Sequence, residues 1–183
     1  DDSEASARLA RTFCIGKIFN CRTILRRTAR ERPHPELEQA CKRLTQSLAR
    51  LKQPLLLDTV RGIEGEAANT YFSVFRHLLG EKSGTFAFHG RNRRPPRDEI
   101  NCLLSFGYTL LAHDIRSALE TAGLDPAVGF LHRDRPGRPG LALDMMEEFR
   151  PYLVDRLVCT LINRGQIRSE QFRKTESGAV LMS

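Results

Sequence analysis

The chain has 183 residues, 40% of them hydrophobic, which is enough to bury one sizeable core and too few to argue for two. Its formal net charge of +7 favours encounters with polyanions and makes a nucleic acid the leading partner. The five cysteines form neither a CxxC pair nor a zinc-knuckle spacing, and no segment has the layout of a membrane helix or a signal peptide. We therefore expect a single domain over residues 1–183, free buried thiols, and a soluble cytoplasmic protein with no membrane partner.

The first half of the chain predicts three helices. Residues 5–31 carry apolar side chains at steps of three and four, and a more polar helix is expected at residues 36–52. A core helix should follow Pro54 and stop at Gly80, before residues 81–97 lose the period and form a basic loop. The apolar stripe of this core helix consists of Leu56, Val60, Ala67, Ala68, Tyr71, Phe75, Leu78 and Leu79.

The second half predicts two more helices and a second basic loop. Asp98 is a suitable N-cap for a helix that ends at Gly123, with Leu110 among its apolar positions. A short extended piece at residues 127–131 should lead into a basic loop rich in proline and glycine. The helical period then resumes, and because Pro151 lacks an amide hydrogen we expect a kink just before it. No run of strands is indicated, so the predicted fold class is all-α, with a last stripe of Leu143, Met146, Leu153, Leu157, Val158 and Leu161.

A carboxylate interrupts the apolar stripe of the third helix. Glu64 lies between Val60 and Ala68 at helical spacing, and burying an ionised carboxylate without a partner is costly. Gly62 and Gly65 flank it, which suggests that something approaches the backbone closely there. Glu64 therefore either binds a cation in a functional site or lies at the edge of the stripe, where it reaches water or pairs with its neighbour Arg61.

Three further residues are candidates for chemistry. His132 joins an apolar segment to the second basic loop, where a metal ligand and an ordinary loop histidine are both possible. Asp144 and Glu147 are three residues apart and share one helix face, where they form either part of a site or a solvated acidic first turn. Glu64, His132 and this pair together have the composition of a divalent-metal site with open positions for water and phosphate oxygens. Imidazole beside carboxylates favours Mn²⁺, although Mg²⁺ is also suitable.

The two basic loops suggest a substrate for such a site. Arginine accounts for 24 of the 29 basic residues, and its planar guanidinium grips phosphate oxygens in pairs, although a G+C-rich coding bias would give the same composition. Four arginines of these loops either bind an anion with phosphate geometry beside the acidic residues or are solvated loop charges. They are Arg94, Arg97, Arg135 and Arg138.

Four motifs, in this order, resemble those of the CRISPR-associated spacer-acquisition integrases, known as the Cas-one family. Lys17, Asn20 and Arg22 also fit the helix that opens the helical domain of that family, so the resemblance spans nearly the whole chain. The four motifs are Gly62-Ile63-Glu64-Gly65 with Ala67, Ala68 and Tyr71; Arg94-Pro95-Pro96-Arg97-Asp98 with Asn101; Gly129-Phe130-Leu131-His132; and Leu141-Ala142-Leu143-Asp144-Met145-Met146-Glu147-Glu148-Phe149-Arg150-Pro151.

The resemblance implies a set of site residues. Glu64, His132 and Glu147 correspond to the metal ligands, with Asp144 an assisting acidic residue. Many relatives carry aspartate where this chain has Glu147, so Asp144 and Glu148 stay open as alternative ligands. The implied reaction is the transesterification that inserts short DNA fragments into a CRISPR repeat, with Mn²⁺ or Mg²⁺ as cofactor.

The resemblance also implies partners and an incomplete chain. Double-stranded DNA, the Cas-two protein and a second copy of the integrase are the partners that it indicates. The β-rich domain that precedes the helical domain in relatives is missing here, and relatives usually continue past Ser183. We therefore expect a catalytic fragment, with a non-catalytic DNA-binding or scaffolding module as the alternative. An RNA-binding helical protein is a weaker alternative, since no aromatic cluster for stacking bases is evident.

Overall fold

A computed structural model describes residues 2–80, 84, 86–133 and 135–183, so part of each predicted basic loop lies outside the described residues. These residues fold into helices packed around one core, with a small antiparallel sheet near the end of the chain. No helix among them is both long and apolar enough to cross a membrane. The elements are α1 (Asp2–Glu31), α2 (Pro35–Arg50), α3 (Leu57–Ser73), α4 (Glu99–Thr121), α5 (Gly140–Phe149), α6 (Arg156–Asn163), β1 (Phe172–Lys174) and β2 (Val180–Met182).

Helix α1 is the central element, and it packs against α2, α3 and α5. Its buried face contains Ala10, Cys14, Ile18, Cys21 and Leu25, at the steps of three and four that the sequence predicts. Four of the five cysteines are buried and all five are free, whereas Cys41 is partly exposed. Helix α1 therefore packs directly against α3 and α5, the two helices that carry candidate site residues.

The caps of α2 and α4 explain where these helices begin. Asp98 accepts a hydrogen bond from the Asn101 backbone amide at 2.7 Å, as expected for an N-cap. Helix α2 is capped by His34, whose Nδ1 accepts from the Glu36 amide at 3.2 Å. Helix α3 begins after Leu56. The prediction that Leu56 belongs to the apolar stripe is wrong, since this residue is 80% exposed. In α4, Leu110 is likewise exposed and the stripe runs through its neighbour Leu111.

The basic loop before α4 is held by a buried amide. The Asn101 side chain is fully buried, and its Oδ1 accepts from the Arg91 guanidinium at 2.7 Å and from the Asn92 backbone amide at 3.0 Å. Its Nδ2 donates to the Gly90 carbonyl at 2.8 Å. A buried amide with all of these partners fixes the loop to the start of α4.

The predicted kink lies between α5 and α6. Residues Arg150–Asp155 form a π-helical turn, in which Pro151 cannot donate the hydrogen bond that an α-helix requires. The wider turn shifts the following residues by one position relative to a continuous α-helix. Leu153 and Leu157, predicted to be buried, are therefore exposed, and the core positions are Val154, Val158 and Ile162.

The chain departs from the predicted elements at three places. The core helix α3 ends at Ser73, before the predicted stop at Gly80, and a short 3₁₀-helix (Phe75–Leu78) follows it. Residues 127–131 form an irregular segment that begins with a turn and ends with a bend, not the extended piece expected from their apolar character. In addition, Phe172 and Lys174 of β1 pair with Met182 and Val180 of β2. The backbone amide of Val180 donates to the Pro96 carbonyl at 2.8 Å, which places this hairpin beside the basic loop before α4.

The loop before α5 packs directly on the first turn of that helix. A Cβ atom added at Gly140 would lie 2.8 Å from the Ala127 carbonyl oxygen and 2.8 Å from the Gly129 Cα. A Cβ atom added at Gly129 would lie 2.9 Å from the Gly140 Cα. The two glycines thus allow backbone to pack on backbone at this point, just before His132.

Candidate functional site

The structure brings together residues from three separate elements. Glu64 of α3, His132 of the loop before α5, and Glu147 of α5 all line one cavity of about 250 Å³. The same cavity is bounded by a group of basic residues and one apolar residue. These are Arg61, Arg133, Arg135, Arg138 and Leu131.

Asp144 supports His132 from behind. The carboxylate is fully buried and accepts hydrogen bonds from the backbone amides of Phe130, Leu131 and His132, at 2.6, 2.9 and 3.0 Å. Its Oδ1 also lies 2.5 Å from His132 Nδ1. This arrangement fixes the imidazole through one nitrogen and leaves Nε2 on the side of Glu147, whose Oε1 is 3.9 Å away.

The three acidic residues of α5 therefore have different surroundings. Asp144 and Glu147 are both buried, which excludes the solvated acidic first turn. Glu148 is exposed and lies beside Gly16 of α1, where a Cβ atom would be 3.1 Å from its side chain. Of the three, Glu147 is the one that lines the cavity.

A buried lysine joins the two glutamates of the site. Lys17 of α1 is 7% exposed, and its ammonium forms salt bridges with Glu64 and with Glu147, the latter at 2.5 Å. From the sequence, Lys17 is predicted only to belong to the helix that opens the domain, and not to the site. Its position between Cys14 and Cys21, on the apolar face of α1, is the signal that could have marked it as a buried cation.

Glu147 is held in its ionised form. Burial alone raises the pKa of this carboxyl, but the charges of Lys17 and Arg150 outweigh burial and bring its pKa to about 2. The guanidinium of Arg150 lies 3.2 Å from Glu147 Oε1 and stacks over the Tyr108 ring at 5.0 Å. The carboxylate is therefore negatively charged throughout the neutral range, as a metal ligand must be.

Arg61 and the two helix glycines have other roles than those expected. Arg61 does not pair with Glu64: it donates to the Leu131 carbonyl at 2.7 Å and to Asp58 at 2.9 Å, which ties α3 to the loop that carries His132. Gly62 and Gly65 are exposed, and no described atom lies within 4 Å of a Cβ added at either one. The close approach expected there is therefore not made by the described part of the chain.

Another group of ligand-type side chains lies outside the site. Among the described residues, a compact cluster of possible metal ligands consists of His34, Glu36 and His77. One nitrogen or oxygen atom of each lies within 4.8 Å of the others. Glu36 is paired there with Arg76 at 2.9 Å and with His77 at 2.7 Å, so its charge is already compensated. Glu64, His132 and Glu147 are less tightly gathered in this structure, with the Lys17 ammonium between the two carboxylates.

The predicted DNA-binding arginines do not share one surface. Arg135 and Arg138 line the cavity of the candidate site. Arg94 instead lines a second groove of about 430 Å³, together with Arg91 and Arg150. Arg97 is exposed, and its backbone amide donates to Asn92 at 2.8 Å. Arg150 belongs to this groove and also contacts Glu147, so the groove and the cavity lie side by side.

Asp155 is a buried carboxyl next to this groove. The Tyr108 hydroxyl donates to its Oδ1 at 2.5 Å, yet burial raises the pKa of Asp155 to about 6. Since its ordinary value is 3.8, the folded state binds more protons between about pH 4 and pH 6. The contribution of Asp155 to stability therefore falls as the pH rises through this window and is lost above it.

Replacing Asp155 with asparagine should remove this dependence. The amide oxygen still accepts from Tyr108, while the buried charge disappears. At pH 7.5 we expect D155N to have a free energy of unfolding about 1–3 kcal/mol higher than the parent chain, a difference that vanishes near pH 4. Urea unfolding at both pH values measures it, with the exposed Asp114→Asn as control. A less stable D155N at pH 7.5 would contradict the argument.

Comparison with known proteins identifies the family. The model of the family described as CRISPR associated protein Cas1 matches residues 1–183. A curated relative, CRISPR-associated endonuclease Cas1 1 of Chlorobaculum tepidum, is 55% identical over 186 residues, which cover 100% of this chain and 54% of the relative.

Solved structures are similar over the same region. The structure titled "Partial Cas6-RT-Cas1--Cas2 complex" matches with a TM-score of 0.86 at 33% identity, and the match covers 100% of this chain and 55% of the matched chain. "Casposase bound to integration product" has a TM-score of 0.83 at 28% identity, over 99% of this chain and 49% of its own. The chain thus spans about half the length of these relatives. With a family match over its full length, this helical chain belongs to the CRISPR-associated protein Cas1 family.

Proposed function

We propose that this chain is the metal-dependent catalytic domain of a CRISPR spacer-acquisition integrase, which breaks and joins DNA phosphodiesters as part of antiviral adaptation. The observation that carries this proposal is the meeting of Glu64, His132 and Glu147 at one cavity bordered by arginines. In this reading residues 1–183 form one α-helical domain. The names of the relatives, which include endonucleases, support the class of reaction.

The residues of the cavity fit a divalent cation. The carboxylates of Glu64 and Glu147 face each other across the buried Lys17 ammonium, so this position already accommodates a positive charge. His132 is fixed by Asp144 through Nδ1, so that its Nε2 is the nitrogen left for a metal. Glu64, His132 and Glu147 would hold Mn²⁺ or Mg²⁺, and Asp144 would act by positioning the imidazole. When bound, the ion would polarise a phosphoryl oxygen and lower the pKa of an attacking hydroxyl.

The other side chains of the cavity bind and orient the substrate in this proposal. Arg135 and Arg138 would hold phosphate oxygens and offset the negative charge that develops on the phosphoryl group. A DNA 3′-hydroxyl as nucleophile gives strand transfer, whereas water gives cleavage. Arg94 and Arg97 would bind DNA further from the reacting phosphate, since neither is among the described residues that line this cavity.

The proposed partners are double-stranded DNA, the Cas-two protein and a second copy of the integrase. The neighbour titles name a Cas1–Cas2 complex and an integration product, which supports the first two. The second copy rests on the family resemblance alone. A non-catalytic DNA-binding or scaffolding role is the alternative, because the chain spans only about half the length of its relatives.

A cleavage assay separates the two roles. The chain is incubated with a labelled DNA duplex and a CRISPR repeat substrate, with Mn²⁺ or with a chelator. The catalytic proposal expects cleaved or joined products with Mn²⁺ only. DNA binding without products under any metal condition would favour the scaffolding role and reject the catalytic one.

DNA binding should depend on the arginines of the cavity. Each neutralised phosphate contributes about 0.9 to the slope of log K against log salt concentration. We therefore expect the double variant Arg135→Ala/Arg138→Ala to bind duplex DNA more weakly, with the slope reduced by up to about 2. Fluorescence anisotropy at salt concentrations from about 50 to about 300 mM measures this slope.

A matched double variant controls for net charge. Arg26→Ala/Arg30→Ala removes the same charge from exposed positions near the end of α1, two or more helical turns from Lys17. It should change the slope less than the cavity variant does. Equal slopes for the two double variants would mean that binding reflects net charge and not these two arginines.

A further inference from the structure

The cation that links Glu64 and Glu147 comes from the chain itself. Lys17 lies on the buried face of α1, and its ammonium contacts one oxygen of each carboxylate. The Lys17 ammonium therefore lies between the two carboxylates of the proposed metal site.

Lys17 and a divalent ion would need the same carboxylate oxygens. The ammonium forms salt bridges with Glu64 Oε1 and Glu147 Oε2 and so occupies the gap between the two side chains. Arg150, also positively charged, lies 3.2 Å from the other oxygen of Glu147. A divalent ion entering this gap meets both cations at short range, and Coulomb repulsion rises steeply there because the surroundings are buried.

We propose that Lys17 is a built-in competitor of the metal ion: it keeps Glu64 and Glu147 together when no metal is bound and leaves them when a divalent ion binds. The proposal rests on the metal site of the proposed function and adds a positioning residue to it. In the metal-free chain, Lys17 reduces the electrostatic repulsion between the two facing carboxylates. The same contacts weaken metal binding, since they must be broken first.

Replacing Lys17 with methionine tests the competition. Methionine has a similar length and suits a buried position, but it carries no charge. We expect K17M to bind Mn²⁺ at least about tenfold more tightly than the parent chain, because both the repulsion and the displaced salt bridges are gone. Without metal, K17M should unfold at a lower temperature, and Mn²⁺ should raise its melting temperature by more than it raises that of the parent.

Mn²⁺ binding is measured directly by the electron paramagnetic resonance signal of the free ion, with thermal unfolding in parallel. Lys42→Met removes the same charge from an exposed position on α2 and should leave the affinity unchanged. Equal or weaker Mn²⁺ binding by K17M than by the parent would overturn the inference. If instead Glu64→Ala binds Mn²⁺ as tightly as the parent, the metal site of the proposed function is itself wrong.

A second measurement needs no substitution at Lys17. Amine acetylation of the parent chain, read residue by residue by mass spectrometry, reports how accessible each ammonium is. Addition of Mg²⁺ should increase labelling of Lys17 relative to Lys42 several-fold, since its amine leaves the two carboxylates. Unchanged relative labelling at a saturating Mg²⁺ concentration would mean that Lys17 stays between them, against the proposal.

Discussion

Alanine at Glu64 is expected to abolish metal-dependent cleavage and strand transfer while the chain stays folded. The carboxylate is one of three proposed metal ligands, and its side chain lies at the cavity, 24% exposed. Its loss leaves Lys17 paired with Glu147, so no buried charge is without a counterion. We expect the rate to fall on the order of 10³-fold, which corresponds to about 4 kcal/mol in the activation barrier.

The measurement is product formation from labelled DNA with Mn²⁺, compared at equal concentrations of folded protein. Glu66→Ala is the matched control because Glu66 lies on the same helix, is exposed, and pairs with Arg50 at the surface. That control should retain the parent rate. If Glu64→Ala also forms products at the parent rate, Glu64 has no part in the reaction and the proposed ligand set is wrong.

Asparagine at Asp144 should damage both stability and activity. Both oxygens of the Asp144 carboxylate accept hydrogen bonds from backbone amides, Oδ2 from Phe130 and Leu131 and Oδ1 from His132. An asparagine amide must turn its NH₂ group toward one of these sides, where donor meets donor. At least one buried backbone amide then loses its acceptor, at about 2–4 kcal/mol in the free energy of unfolding.

The loss should appear as a melting temperature lower by about 5–15 °C. Activity should fall about 10–100-fold more than the unfolded fraction explains, because His132 loses the group that orients it. Differential scanning calorimetry and single-turnover cleavage measure the two effects. Asp125→Asn is the control: Asp125 is exposed and accepts one backbone hydrogen bond, from Ala127, that asparagine also accepts. A D144N chain as stable and active as the parent would refute this account of the loop.

The helices could be predicted from local chemistry. The 3.6-residue period of apolar side chains and caps such as Asp98 depend on neighbours in sequence, and they placed the start of each predicted helix to within a few residues. The end of α3 was predicted less well, since this helix stops at Ser73 and not at Gly80. The kink before Pro151 followed from a missing amide hydrogen. The sequence could not indicate that the kink would be a π-turn. Its extra residue moved the core stripe from Leu153 to Val154.

The site was less accessible to such reasoning because it depends on contacts between distant segments. Glu64, His132 and Glu147 were singled out from a stripe, a loop and a family resemblance, and they do line one cavity, although their role as ligands stays a prediction. Lys17 lies 47 residues from Glu64 in the chain, and no local pattern pairs the two. The hairpin of β1 and β2 was missed for a similar reason, since each strand has three residues.

The contact between Gly129 and Gly140 determines how accurately the histidine can be placed. Main-chain atoms meet main-chain atoms there, with no room for a side chain between them. The loop that carries the imidazole and the acidic helix are consequently set at a distance fixed by main-chain packing, and not by side chains that can change rotamer. A larger residue at either glycine would push the loop and the helix apart. His132 would then shift relative to Glu147, although every reactive group stays chemically intact.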